Sequence, residues 1–84
     1  PGDLMTLAVY ASLKRRGIKP MRDMEIVSCN NEKMYYDQLS PCPPVVDIDV
    51  AAVGKLAAQT ILRRVENPEE APVKVLLTPK LITP

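Results

Sequence analysis

The side chains able to do chemistry in this sequence are mainly amides and carboxylates, and two places collect them. Asn30-Asn31 follows directly on the apolar run Met24-Glu25-Ile26-Val27-Ser28-Cys29. An amide offers donors and an acceptor together, which matches the hydroxyls of a sugar or polyol. An ordinary turn explains the same pair, because Asn tolerates left-handed backbone and bonds its own chain. Asp47 and Asp49 lie two apart in an extended stretch, which puts both carboxylates on one face. They could hold a cation or a sugar hydroxyl; capping of the next helix by Asp49, with Asp47 in solvent, is the simpler explanation.

Several other chemistries lack their residues. The sequence has no His, so the usual serine and cysteine triads cannot be assembled from it. Its glycines stand alone at Gly2, Gly17 and Gly54, and none belongs to a phosphate-cradling loop. Cys29 and Cys42 lack CxxC spacing, which argues for reduced thiols in a cytosolic protein rather than a metal or redox site. No catalytic residue, metal site or cofactor is expected. Lys plus Arg number 11 against 10 Asp plus Glu, leaving a net charge of +1. A domain that grips nucleic acid unaided needs a basic face, and the single basic run, Lys14-Arg15-Arg16, reads instead as a helix end. No apolar run approaches the length of a membrane span.

The elements that must position these groups follow from spacing. Asp3 is placed to cap a helix from Leu4 to about Arg16, with Leu4, Leu7, Ala8 and Ala11 as one apolar stripe. The basic triplet meets the negative end of that helix, Gly17 supplies a left-handed stop, and Pro20 prevents a restart. Met24 to Cys29 reads as a strand with a buried Ile26-Val27 centre, and residues 32–39 as an irregular turn or a helix of one to two turns. Ser40-Pro41-Cys42-Pro43-Pro44 cannot be regular structure. Val45-Val46-Asp47-Ile48 is extended. Asp49 then caps a helix from Val50 to about Glu66, which Asn67-Pro68 terminates. Residues 73–83 form a last strand that Thr78-Pro79 interrupts, which marks it as an edge or a passage between two packing units.

The order is α–β–loop–β–α–β in 84 residues, with room for only a modest core. It lacks a strand before the first helix, and it opens at Pro1 with no Met. Both features read as a piece of a larger α/β protein.

The arrangement resembles the C-terminal end of LacI/GalR-family transcription regulators. Gly2-Asp3-Leu4-Met5 through Leu13-Lys14-Arg15-Arg16-Gly17-Ile18 is similar to the family's Asn-Asp-x-Met-Ala helix. Met24 to Asn31 is similar to its Val-Ser-Val-Val-Gly-Phe-Asp-Asp strand. Leu39-Ser40-Pro41, Val45 to Asp49 and Val53-Gly54-Lys55-Leu56-Ala57-Ala58 follow in order. Val75-Leu76-Leu77-Thr78-Pro79-Lys80-Leu81-Ile82 is similar to the closing Val-Leu-Leu-Pro-Pro-Glu-Leu-Val. The likeness covers essentially the whole chain, and its collinearity is more specific than any one motif.

The resemblance implies a fragment of a periplasmic-binding-protein-like, parallel-sheet core with an effector cleft between two subdomains. Residues 1–44 (helix 4–16, strand 24–29) would belong to the C-terminal subdomain. Residues 45–84 would supply the crossover, helix 50–66 of the N-terminal subdomain and closing strand 73–83. It also implies a cytoplasmic, non-enzymatic sensor of a small effector, coupled to operator DNA through N-terminal helices that this stretch does not contain. Asn30, Asn31 and Asp3 are the implied ligand contacts. Gly2 stands where the family has an effector-contacting Asn, and Asn30 where it has an acidic residue. Those departures favour a sugar acid, a sugar phosphate or an atypical effector over an ordinary neutral sugar. A homodimer is implied, with Leu4, Leu7, Tyr35, Tyr36 and Leu39 at its interface; intrachain core is the alternative for the leucines. A periplasmic sugar-binding protein of a transporter keeps the same fold, and a Rossmann-like enzyme fragment is a more distant alternative.

Overall fold

Asp3 opens the first element without capping it. In the computed structural model, which describes residues 2–84, helix α1 runs Asp3–Arg15. Its N-cap is Gly2, extended and without a side-chain capping bond. The expected cap is therefore corrected: the Asp3 carboxylate turns into the protein, as described below. The far end follows expectation. Gly17 takes φ +71°, its N–H donates to the Lys14 carbonyl at 3.1 Å, and the Ile18 N–H donates to the Leu13 carbonyl at 2.9 Å. This is the Schellman arrangement, which satisfies carbonyls that the last turn would leave open.

The helix buries a different face from the one its aliphatic stripe suggests. Asp3, Thr6, Tyr10 and Leu13 point inward, whereas Leu4 is 61% exposed and Ala8 and Ala11 are also exposed. Polar side chains are tolerated inside only when they are hydrogen-bonded. These are: Thr6 bonds Ser28, and the Tyr10 hydroxyl donates to the Pro41 carbonyl at 2.8 Å.

Strand β1 is shorter than expected, Ser28–Asn30 rather than 24–29. The ladder starts where a partner runs alongside, with the Ser28 N–H donating to the Pro44 carbonyl at 2.9 Å. Before that point the chain turns on itself. Met21 has φ +66°, its N–H bonds the Met24 carbonyl, and its sulfur accepts from the Ile26 N–H. Helix α2 is a single turn, Lys33–Tyr36. Strand β2, Val45–Asp47, lies parallel to β1 with Ser28 opposite Val45 and Asn30 opposite Asp47. Strand β3, Lys80–Ile82, pairs antiparallel with β2, giving the sheet order β1-β2-β3. Residues 73–79, expected as strand, pair with nothing in the sheet; Val73, Val75, Leu76 and Leu77 instead border an open groove with Val53, Leu56 and Ile61.

The core consists of Tyr10, Leu13, Ile26, Tyr36, Leu39 and Val45, with Leu7, Val9, Ile18 and Met21 packed against it. None of these residues lies beyond β2. Helix α3, Val50–Glu66, is started by Asp49, whose side chain accepts from the Ala52 N–H at 3.2 Å. It buries no residue, and Ile61 is 63% and Val65 73% exposed. The radius of gyration is 17.3 Å, with extents of 57 × 21 × 17 Å. A compact domain of this length has a radius of gyration of about 12 Å. The elongation comes from α3 and residues 67–79, which lie outside the packed half, before β3 returns to the sheet.

Candidate effector-binding edge

The parallel register of β1 and β2 brings their carboxyl ends side by side, and Asn30, Asn31 and Asp47 meet there. Asn30 and Asn31 both adopt left-handed backbone, with φ +97° and +60°, a conformation Asn takes more readily than most residues. The chain leaves β1 sharply as a result. Asn31 Nδ2 donates to Asp47 Oδ2 at 2.9 Å, and the Asp49 N–H donates to Asp47 Oδ1 at 2.7 Å. The Asn31 amide first, and the Asp49 N–H after it, hold the Asp47 carboxyl below the usual carboxylate range, helped slightly by the charges of Lys33 and Lys80. Asn30 Nδ2 donates to Glu32 Oε1 at 3.2 Å.

Gly2 bears directly on Asn30. A Cβ added at Gly2 would stand 3.3 Å from Asn30 Nδ2, tighter than ordinary van der Waals contact. The glycine thus leaves the space that the Asn30 amide uses.

Asp3 lies beneath the edge rather than on it. It is 1% exposed, Oδ1 accepts from the Ser28 hydroxyl at 2.6 Å, and Oδ2 accepts from the Glu32 N–H at 2.5 Å. Ser28 Oγ lies 2.8 Å from Thr6 Oγ1, and Thr6 donates to the Gly2 carbonyl at 3.0 Å. The carboxylate expected to touch a ligand instead ties the loop after β1 to the start of α1. Thr6, Ser28 and Glu32 were missed in the sequence. Their signal was Thr6 one helical turn beyond Asp3, and Ser28 two residues beyond the buried Ile26 on the same strand face.

The residues expected at a subunit interface separate into two groups. Leu4 is exposed, and Leu7 and Tyr35 are half-buried. Tyr36 and Leu39 are core residues, 7% and 4% exposed, which corrects their placement at the surface. The Tyr36 hydroxyl donates to the Pro43 carbonyl at 2.5 Å and accepts from the Cys42 thiol at 2.8 Å. Burial, and after it the bond from Cys42, pushes the Tyr36 phenol above its ordinary range. Among the described residues no group of three or more His, Cys, Asp or Glu side chains is disposed to hold a metal ion, and no helix is long and apolar enough to cross a membrane.

An α/β unit with polar side chains gathered at the carboxyl ends of parallel strands defines a ligand-binding class of fold, since ligands in open α/β sheets bind outside those ends. A family model for the periplasmic binding protein-like domain matches residues 1–83. The ribose operon repressor of Haemophilus influenzae is 26% identical over 80 residues, covering 95% of this chain and 24% of the repressor. The crystal structure of a LacI transcriptional regulator from Bacillus cereus subsp. cytotoxis NVH 391-98 is similar with a TM-score of 0.83 and 31% identity, covering 96% of this chain and 28% of that one. The chain belongs to the periplasmic binding protein-like domain family, in the form found in LacI/GalR-type regulators. It spans about a quarter of the length of both relatives.

Proposed function

We propose that this stretch is part of the effector-sensing module of a LacI/GalR-type transcriptional repressor, binding a sugar or related metabolite. The carrying observation is the convergence of Asn30, Asn31 and Asp47 at the carboxyl ends of two parallel strands. Residues 1–44 belong to one subdomain of the cleft. Residues 45–84 supply the crossover and a helix of the other, whose apolar side is uncovered here. The reading is of a binding protein in the cytoplasm rather than an enzyme, consistent with relatives that are both regulators. Effector binding controls the affinity of N-terminal DNA-binding helices by favouring one closure state of the cleft.

The exposed Leu4 and Ala8, beside the half-buried Leu7, give α1 an apolar outer stripe suited to a homodimer contact, with Tyr35 near by. Tyr36 and Leu39 play no direct part in that contact.

Thermal unfolding of the full-length protein against a panel of sugars and sugar derivatives tests the sensing function. A ligand present at about a hundred times its Kd adds about 2.7 kcal/mol to stability. One chemical class should raise the Tm, and Asn30→Ala should abolish the shift. A well-folded protein whose Tm no compound moves would contradict the proposal.

A further inference from the structure

The donors and acceptors left over at this edge specify more than a sugar. An ionised carboxylate only accepts hydrogen bonds, so it dictates which end of a neighbouring amide faces it. Asn31 turns its Nδ2 to Asp47, and Asn30 turns its Nδ2 to Glu32. Each amide therefore has its nitrogen engaged with a carboxylate and its oxygen turned away. Asn31 Oδ1 is buried with no hydrogen-bond partner among the described residues, a state that buried acceptors ordinarily avoid. Asp47 receives the Asn31 amide and the Asp49 N–H, and its oxygens have lone pairs to spare. The Asp3 carboxylate is fully buried beneath and committed to Ser28 and Glu32.

Charge points the same way. Glu32, Asp47 and Asp49 stand at the edge, while the positive charges reaching Asp47 come from Lys33 on α2 and Lys80 on β3, both solvent-exposed side chains. The Lys33 ammonium lies over the Tyr36 ring, 5.8 Å from its centroid, whereas Asp47 is fixed by bonds from Asn31 and the Asp49 N–H.

We propose that this edge binds a polyhydroxylated amine, a ligand carrying a protonated amino group among its hydroxyls. An ammonium brings three donors and a positive charge in a small volume, which complements the Asn30 oxygen, the Glu32 carboxylate and the free positions of Asp47. A sugar acid or sugar phosphate would bring acceptors and negative charge to a place already rich in both. This reverses the leaning toward anionic effectors that Gly2 and Asn30 suggested in the sequence. It rests on the effector-site reading above.

Calorimetric titration of the full-length protein with D-glucosamine, D-glucose, D-gluconate and D-glucose 6-phosphate, at a pH that keeps the amine protonated, is the test. Glucosamine should bind about tenfold or more tighter than glucose, the difference expected of one charge-assisted hydrogen bond. The two anions should bind more weakly than glucose. Glu32→Gln keeps an acceptor for Asn30 but removes a charge, and should erase most of the preference for the amine over glucose. Tighter binding of glucose or of either anion would overturn the inference and leave the sensing function standing. A folded protein that binds none of the four would overturn the inference, and would lose the sensing function too if no compound of the thermal panel moved its Tm.

Discussion

At Asp3 a single carboxylate joins the start of α1, the first residue of β1 and the loop that follows that strand. Both its oxygens accept short bonds, from Ser28 and from the Glu32 N–H, in a site only 1% exposed. Asp3→Ala would leave the Glu32 N–H without its acceptor and take from the Ser28 hydroxyl one of its two partners, at a cost of about 1–3 kcal/mol. Urea unfolding of the full-length protein would show this as a lower midpoint. A midpoint unchanged from the parent would mean that the loop holds its shape without Asp3. The residue type and its neighbourhood to Gly2 were legible in the sequence, but its direction was not. Capping and burial both call for an Asp before a helix, and only the strand running opposite decides between them.

Among the elements, the two helices respond to the same substitution with opposite sign. Gly17 closes α1 at φ +71° with nothing within 4 Å of an added Cβ, so only backbone strain opposes a side chain there. Gly17→Ala should destabilise by about 1–2 kcal/mol. Gly54 lies inside α3 and also faces open space. Gly54→Ala should stabilise by about 0.5–1 kcal/mol, because alanine restricts the unfolded chain and suits a helix. Thermal unfolding of both variants checks the pair, and Gly54→Ala lowering the Tm would show that the face of α3 at Gly54 is closely packed in the full protein. Helix ends were readable because Gly17, Asn67 and Pro68 act locally. The strands were not: residues 24–27 and 73–77 have strand composition, yet a strand exists only where a partner runs beside it. For Ser28–Asn30 that partner is β2, far along the sequence. The buried face of α1 was misjudged for a similar reason, since Thr6 and Asp3 go inward on the strength of bonds to Ser28 and Glu32.

For the whole molecule, the division between a packed half and an extended half is the feature that ties structure to function. All core residues lie at or before Val45, while α3 keeps its apolar side chains in the open. The sequence showed that helix as amphipathic but not that Val73, Val75, Leu76 and Leu77 border its apolar side while leaving it largely exposed. Asp47, at the end of β2, is bonded to Asn31, just beyond the end of β1; on the proposed reading this is the passage from one wall of the cleft to the other. On the proposed reading, a ligand that engages Asn30 and Asn31 acts where the two walls are joined, and that junction would carry its binding to a DNA-binding head. Fluorescence anisotropy of the full-length protein on its operator, selected from random DNA, measures that coupling directly. Operator affinity should change at least fivefold on saturation with the compound that raises the Tm, the lower range of an allosteric coupling free energy, and Asn31→Ala should uncouple DNA affinity from the compound. An operator affinity that stays constant while the compound is bound would contradict effector sensing as the function of this edge.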